Sequence, residues 1–447
     1  MQYDLLAWVL TFVAAVLMVL LPRQWALLPL LVASFFVTLG QYVEIFGLDF
    51  PTVRLLILVG WARLFLTQGR KRKLNTNDKL MIWWVVAAVV SHTLLWQTSG
   101  AFINRLGLAY NALGIYFLVR SFVWDVEDIE RVIRIFAFVC IGVAASMLVE
   151  RATGRNAFAA FGGVPFITEV RDGKLRSQGA FLHSITAGTF GAMLFPLFVA
   201  LYASPRKHKI LASLGLGAAT IITITSSSSG PVLSYLAGIL GLCMWPFRER
   251  MRTFRWGIAC GLVGLDLVMK APVWALLGRI RVFSASDSYH RVLLIDQFFA
   301  RFSEWWLWGT QSTATWADLD AIMHDVTNHY IRVAVDGGLL TLLLFVALIT
   351  YSFRGVGRAR EAFESQPALA RLSWALGVSL FVNVVSFMGV SYFDQITVAW
   401  YALLAMSSVL YSIASESVSA KNERRSEAHS SFSKSFGVAQ VANSPRT

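Results

Sequence analysis

The sequence predicts an all-α polytopic membrane protein with about 12 to 14 transmembrane helices. Hydrophobic residues make up 56% of the 447 residues and charged residues only 15%, with a mean hydropathy of +0.60. A soluble protein carries about 25% charged residues, so most side chains here are expected to face lipid or each other. The 16 tryptophans and 12 tyrosines are typical of the aromatic belts at membrane surfaces.

Thirteen segments are mostly apolar over about the 20 residues that one membrane crossing requires. They lie at 4–22, 25–43, 51–67, 79–96, 103–123, 132–149, 181–202, 210–227, 231–247, 256–276, 329–352, 372–390 and 395–413. We therefore predict a single transmembrane domain over residues 1–413. The sequence contains no evident internal repeat of the kind that many transporters have.

The charge pattern predicts which ends of these helices face the cytoplasm. Strongly basic stretches occupy four short connections, at 69–73, 205–209, 247–252 and 353–360. With thirteen spans all four lie on one side of the membrane, which the positive-inside rule identifies as the cytoplasm. These loops and anionic lipid then account for the net charge of +13 without nucleic acid. The polar, Ser-rich residues 414–447 are predicted to form a disordered cytoplasmic tail.

Two longer segments, 150–180 and 277–328, are predicted to lie on the opposite side of the membrane. In the second segment, apolar residues recur at helical spacing, which predicts an amphipathic helix on the outer membrane interface. They are Ile295, Phe298, Phe299, Phe302, Trp305 and Trp306. A helix that simply caps the bundle is the alternative interpretation.

Arginines are frequent in these outer segments, where the positive-inside rule predicts few. Because the guanidinium fork binds diphosphate and carboxylate groups, the pattern suggests an anion at the outer surface. The candidates are Arg176, Arg279, Arg281, Arg291 and Arg332. The alternative is pairing with local carboxylates, such as Asp287 one turn before Arg291.

A polar stripe enters the outer end of the span at 329–352. Four residues at helical spacing must face a cavity or a protein contact, because such groups are costly in lipid. They are Asp325, His329, Arg332 and Asp336. We predict His329 as a general base that Asp325 or Asp336 orients, with His324 as the second candidate. A structural network is the alternative, and Gly337–Gly338 is expected to permit a bend or close packing.

We expect no metal and no cofactor. The sequence contains no phosphate-binding P-loop, no HExxH or GxSxG motif and no aspartate pair with metal-ligand spacing. Cys140, Cys243 and Cys260 all lie in apolar runs, so they indicate neither a disulfide framework nor a metal site.

Five stretches in a fixed order resemble the O-antigen ligase and O-antigen polymerase (Wzy-type) superfamily over about residues 105–410. They are ATGRNAF at 152–158, LRSQGAFLHSITAG at 175–188, TSSSSGPVLSYLAGILG at 225–241, DSYHRVLLIDQF at 287–298 and TNHYIRVAVDGGLLTLLLF at 327–345. Two departures stand out. Ser228-Ser229-Gly230 replaces the Ser-Arg-Gly of many members, and Asn328-His329-Tyr330 replaces His-Asn-x-Tyr.

This resemblance implies a bacterial inner-membrane glycosyltransferase of the GT-C type. Such enzymes transfer a glycan from undecaprenyl diphosphate at the periplasmic face to an acceptor hydroxyl, without a metal. By the matching motifs, Arg176 and Arg291 would hold the donor diphosphate, and His329 corresponds to the histidine of the periplasmic loop.

The preferred role is a polymerase for exopolysaccharide or O-antigen. A ligase with a lipid or protein acceptor, a transporter or flippase of a lipid-linked glycan, and a scaffold that binds other polysaccharide-assembly proteins are the alternatives.

Overall fold

A computed structural model of the chain describes residues 4–45, 48–67, 73–204, 208–279, 286–313, 316 and 326–441. The structure is 78% helical. The helices are α1 Leu5–Leu20, α2 Leu27–Phe36, α3 Thr52–Thr67, α4 Thr76–Trp96, α5 Ser99–Phe122, α6 Val126–Thr153, α7 Ser184–Ala203, α8 Lys209–Thr225, α9 Ser229–Cys243, α10 Met251–Val268, α11 Ser286–Ala300, α12 Phe302–Trp305, α13 His329–Ala362, α14 Pro367–Ser386 and α15 Ile396–Val441.

Two short antiparallel hairpins accompany the helices. Strands β1, Tyr42–Ile45, and β2, Leu48–Pro51, pair so that Tyr42 faces Pro51. Strands β3, Val170–Arg171, and β4, Lys174–Leu175, pair so that Arg171 faces Lys174. Short 3₁₀ helices lie at Arg23–Trp25, Ala157–Phe161, Trp245–Arg250 and Val273–Arg279.

Seven of the described helices are long and apolar enough to cross a membrane, or eight if α9 and the bent segment after it form one span. Each of the thirteen segments predicted from the sequence overlaps one α-helix, because a run of apolar residues favours a backbone whose hydrogen bonds are internal, although the segment 25–43 contains only the short α2 and also the start of β1. The multi-pass membrane class is supported by these helices. The number that cross a membrane stays a prediction, since several are short.

The connections between helices gather at two ends of the bundle, as the alternation of spans predicts. The upper end contains residues 155–183, 226–230, 291–311, 326–338 and 387–395, joined for example by Ser391 to Val326 and by Leu182 to Asp394. The lower end contains residues 120–131, 241–248, 353–374 and 408–415, joined by Trp374 to Gly241 and by Arg358 to Tyr411.

Helices α9 and α10 meet at an angle of 79°. The break lies at the lower end, where Trp245 packs edge-on against Trp374. Further along the sequence, Arg291 lies at the upper end again, with its guanidinium beside Gly389. Helix α10 must therefore return the chain from one end to the other, although none of its residues is buried.

Helix α7 lies at the centre of the bundle, and 78% of the residues in its 18-residue apolar stretch are buried. Small residues allow its neighbours to approach closely. A Cβ on Gly188 would lie 2.4 Å from the Ser226 hydroxyl, and one on Gly191 would lie 2.6 Å from the carbonyl of Ala219. These glycines bring the connection between α8 and α9 against the start of α7.

Helix α13 is broken at Gly338, which has φ 74° and ψ −178°. The break lets the segment after α12 dock on α13: the Leu339 N–H donates to Trp306 O and the Thr310 N–H to Val335 O, each at 2.8 Å. A Cβ on Gly338 would lie 2.2 Å from Leu307 O. The glycine pair therefore provides both the predicted bend and the predicted close approach, at Gly338.

The predicted amphipathic helix is present as α11 and α12, with a break between them. Its apolar residues divide between two faces. Ile295, Phe298 and Trp305 are buried in a small core with the start of α13, whereas Phe299, Phe302 and Trp306 are exposed. The segment thus caps the upper end through one face and leaves an aromatic face open.

Helix α15 continues to Val441, through most of the segment that the sequence assigns to a tail. Side chains from Ser415 to Ala420 are exposed, and this stretch lacks an apolar face. The bundle therefore gives this part of α15 no packing support, and a helix without tertiary packing is marginal in water.

Candidate functional site

A cleft at the upper end brings together two of the arginines predicted to bind an anion. Arg176 and Arg291 both line it, although they lie in segments far apart in the sequence. The other lining residues are Arg171, Asp172, Lys174, Ile185, Ser227, Ser228, Ser229 and Gly230. We call this the anion cleft, because four of its side chains are cationic and only one is acidic.

Arg176 is buried at the wall of the anion cleft, with 3% of its surface exposed. Its Nη1 donates to both carboxylate oxygens of Glu169, at 3.0 and 3.2 Å, and its Nη2 donates to Ser228 Oγ at 2.9 Å. The buried Nε has no acceptor among the described residues. Since an unsatisfied buried donor is costly, an anionic oxygen in the cleft would stabilise this side chain.

The N-terminus of α9 opens onto the same cleft. Ser228 is its N-cap residue, but its hydroxyl donates to Ser226 O at 3.1 Å and forms no side-chain cap within the described part of the chain. Ser229 and Gly230, whose N–H groups are the first of the helix and carry the positive end of its dipole, both line the cleft. Backbone N–H groups of this kind bind phosphate.

The β3–β4 hairpin carries further cations to the cleft. Glu150 holds the segment after it: Oε2 accepts the N–H groups of Gln178 and Gly179 at 3.0 and 2.8 Å, and Oε1 accepts from Thr168 Oγ1 at 3.1 Å. Arg171 and Lys174 of this hairpin line the cleft together with Ser229. Both belong to the outer cations that suggest an anion in the sequence, although the predicted ligands did not include them.

Two further predicted anion ligands remain untested. Arg279 ends a 3₁₀ helix, but its side chain lies outside the described part of the structure, and Arg281 lies outside the described residues altogether. Arg332 is placed elsewhere, as described below.

A central cavity of about 490 Å³ lies among α4, α5, the start of α13 and the turn before α15. Its polar wall comes from the start of α13 and from the turn before α15, and its apolar wall comes largely from α4 and α5. The polar residues on its wall include His329, Arg332, Asp336, Ser391, Asp394 and Gln395. Cavities of this size are typical of sites for organic ligands.

Asp394 links the cavity to the anion cleft. Its Oδ2 accepts from Thr186 Oγ1 at 2.5 Å and from the Leu182 N–H at 3.2 Å, and its Oδ1 accepts from the Ile396 N–H at 3.1 Å. Ile185, in the same turn of chain as Thr186, lines the anion cleft. The carboxylate and the cleft therefore contact consecutive residues in the first turn of α7.

Burial raises the pKa of Asp394 to about 6, and the three hydrogen bonds oppose this rise. A carboxyl group with a pKa near 6 is well suited to accept a proton near neutral pH. Sequence reasoning missed Asp394. The available signal was a carboxylate directly before an apolar span, the same signal that identified the stripe of α13.

His329 lies on the cavity wall, packed against the rings of Phe345, Phe387 and Tyr392 at centroid distances of 5.3, 4.7 and 5.5 Å. Its Nδ1 accepts the Tyr392 N–H at 3.2 Å. A neutral imidazole that accepts at Nδ1 carries its proton on Nε2, so in this geometry the ring donates a hydrogen bond.

The structure does not place His329 against Asp336, its predicted partner. The Asp336 carboxylate instead binds Arg332 at 2.9 Å and Arg105 at 3.2 Å. Arg332, predicted to bind the donor with Arg176, thus lies on the cavity wall and does not line the cleft. Asp325 and His324 lie outside the described residues, so their predicted roles are untested.

Comparison with known proteins finds no family model that matches the chain and no curated protein that matches it. The superfamily resemblance therefore stays a prediction from the motifs.

Proposed function

We propose that the chain is a GT-C-like glycosyltransferase of the bacterial inner membrane that joins glycan units carried on undecaprenyl diphosphate. The observation that carries this proposal is that the first turn of α7 contacts the Asp394 carboxylate through Thr186 and lines the anion cleft through Ile185. A group that accepts a proton and a group that stabilises a departing anion are thus held by one turn of chain. Displacement at an anomeric carbon requires these two elements.

In the proposed reaction the anion cleft holds the donor diphosphate. Arg176 is pre-positioned by Glu169 and Ser228, so little order is lost when an anion binds. As the bond between the anomeric carbon and the diphosphate breaks, the electron pair leaves with the diphosphate. Arg176, Arg291 and the α9 N–H groups stabilise that charge, and neither a metal nor another cofactor takes part in the proposal.

The central cavity then holds the acceptor hydroxyl. Its oxygen forms the new bond to the anomeric carbon, and its proton passes to the Asp394 carboxylate. The Nε2–H of His329 donates to the acceptor and fixes its orientation. This proposal revises the role predicted for His329 from base to donor, because Nδ1 already accepts a backbone N–H.

The proposal includes thirteen membrane spans, with the upper end in the periplasm. Basic residues such as Arg248, in a 3₁₀ helix, and Arg358, near the end of α13, lie at the lower end, which supports a cytoplasmic lower end. Cysteines placed at the exposed positions Thr153 and Ser312 are expected to react with a membrane-impermeant thiol reagent in intact spheroplasts. Protection of both until lysis would contradict the topology.

A polymerase is the preferred form of the enzyme, and a ligase differs only in its acceptor. The test is to delete the gene and separate the surface glycans on a gel. Acceptors that carry single repeat units indicate a lost polymerase. Complete loss of capped acceptor, with accumulated lipid-linked chains, indicates a lost ligase.

Complementation of the deletion tests the anion cleft. Arg176→Gln is expected to restore less than about a tenth of the glycan output, since a contact to an ion contributes about 1.5–3 kcal/mol. Arg301→Gln is the matched control, because Arg301 lies on the upper end but pairs with Glu304 at 3.2 Å outside the cleft. Equal output from the two variants at equal expression would refute the assignment.

A further inference from the structure

A second cationic group lies on the wall of the central cavity and has no part in the proposed transfer. Nη2 of Arg105 donates to His92 Nδ1 at 2.8 Å and lies 3.2 Å from the Asp336 carboxylate. Arg332 Nε donates to the same carboxylate oxygen at 2.9 Å. We call His92, Arg105, Arg332 and Asp336 the Arg105 cluster.

The Arg105 cluster carries more positive than negative charge. Two guanidinium groups share one oxygen of one carboxylate, so a single acidic side chain balances two cations. The buried Nε of Arg105 has no acceptor among the described residues. Arg332 is half-exposed, with 49% of its side chain accessible. The cluster therefore has donors and charge available for an anion that enters the cavity.

The apolar wall of the cavity runs from this cluster toward the middle of the bundle. It is formed on α4 and α5 by Trp84, Val85, Ala88, Val89, Leu108 and Ala109. Helices α4 and α5 are the least buried of the seven candidate spans: 22% and 33% of the residues in their 18-residue apolar stretches are buried. The apolar wall of the cavity therefore belongs to the two candidate spans that are most exposed at the outside of the bundle.

His92 lies near the end of α4 and Arg105 near the start of α5, so the cations sit at the upper end of the apolar wall. This is the arrangement that an amphiphile requires: a polar head at the membrane surface and a chain directed toward the membrane interior. A soluble sugar would use neither the apolar wall nor its position between peripheral helices.

We propose that the Arg105 cluster binds the phosphate head of a second lipid, the one that carries the acceptor. The inference rests on the proposed function, which assigns the donor diphosphate to the anion cleft. Asp394 lies on the wall of the same cavity, so an acceptor anchored at the cluster extends its glycan toward the proposed base. The enzyme then holds two phosphate-headed lipids on either side of the transfer site.

The test counts bound lipids on the purified full chain in phosphatidylcholine nanodiscs, with undecaprenyl diphosphate as the probe and native mass spectrometry as the readout. The wild type is expected to bind two copies. Arg332→Gln is expected to weaken one binding step about tenfold or more and to leave the other unchanged. Arg176→Gln is expected to weaken only the other step, and the control Arg301→Gln is expected to weaken neither.

Arg332 is half-exposed, so its substitution is not expected to prevent folding, and Arg105→Lys provides a second variant that keeps the charge but loses the fork. One copy on the wild type, lost in Arg176→Gln, would overturn this inference and leave the proposed function intact. No bound copy would overturn both. Displacement of the second copy by excess phosphatidylglycerol would identify a site for bulk anionic lipid and would also overturn the inference.

Discussion

Substitution of Asp394 by asparagine is expected to abolish transfer and, at neutral pH, to relieve an energetic cost in the folded protein. The ordinary pKa of an aspartate is 3.8, and burial raises that of Asp394 to about 6. The folded protein therefore binds this proton more tightly than the unfolded chain. By linkage, the wild type loses stability as the pH rises from about 4 to about 6.

The size of this loss follows from the pKa difference. Each pKa unit corresponds to about 1.4 kcal/mol, so a rise of about two units corresponds to about 3 kcal/mol. Asparagine does not titrate. The free energy of unfolding of Asp394→Asn minus that of the wild type is therefore expected to increase by about 3 kcal/mol between pH 4 and pH 7. Hydrogen bonds that the amide loses at Thr186 or Leu182 change the stability difference by the same amount at pH 4 and at pH 7. They therefore do not affect its expected increase.

The assay is denaturant unfolding in mixed micelles at a series of pH values, beside a transfer assay on the same samples. Transfer is expected to fall about 10²–10⁴-fold in Asp394→Asn. The wild-type rate is expected to rise with pH through about 6, where the carboxyl loses its proton. Thr186→Val removes a hydrogen bond that lowers the pKa of Asp394, so the midpoint of that profile should move upward. A stability difference that does not change with pH would refute the reasoning.

Three other predictions concern the surrounding structure. His329→Gln keeps a side-chain donor toward the cavity, so it should lower transfer less than Asp394→Asn does; near-complete loss of activity in a stable protein would instead favour the predicted base. Arg291→Lys should retain only part of the activity because the guanidinium fork is lost, and wild-type output would contradict its place in the cleft. Gly338→Ala should destabilise the fold by about 1–3 kcal/mol, because its φ of 74° and the nearby Leu307 carbonyl exclude a Cβ. The control Gly357→Ala, which has open space, should not, and equal thermal stability of the two variants would contradict that reasoning.

The positions of the helices could be predicted from the sequence, because each crossing requires a long apolar run and the backbone has no other way to satisfy its hydrogen bonds there. The sidedness that four basic stretches predict stays a prediction. The pairing of Arg176 with the α9 N-terminus could be anticipated only in part. Both segments were recognised as motifs, but their meeting depends on the small residues Gly188 and Gly191 that let α8 and α9 approach α7.

Other features of the site are invisible to periodicity. Asp394 occupies a short turn between two spans, where one carboxylate forms no pattern. The tautomer of His329 depends on the backbone N–H of Tyr392, a contact across 63 residues of sequence. The stripe on α13 predicted Asp336 as a partner for His329, but Asp336 binds Arg332 of the same helix and Arg105 of α5, and no spacing within α13 reveals Arg105. The tautomer of His329 and the partners of Asp336 thus depend on contacts between segments that are distant in the sequence.

The most direct test of the central claim is turnover by the purified protein in nanodiscs with a fluorescent oligosaccharide on undecaprenyl diphosphate. If the anion cleft and Asp394 form a transfer site, each new glycosidic bond should release one undecaprenyl diphosphate. Release should fall at least about tenfold in Arg176→Gln. A protein that binds the lipid-linked donor tightly but releases no undecaprenyl diphosphate, and in liposomes only moves the intact donor across the bilayer, would be a transporter, and the account would be wrong.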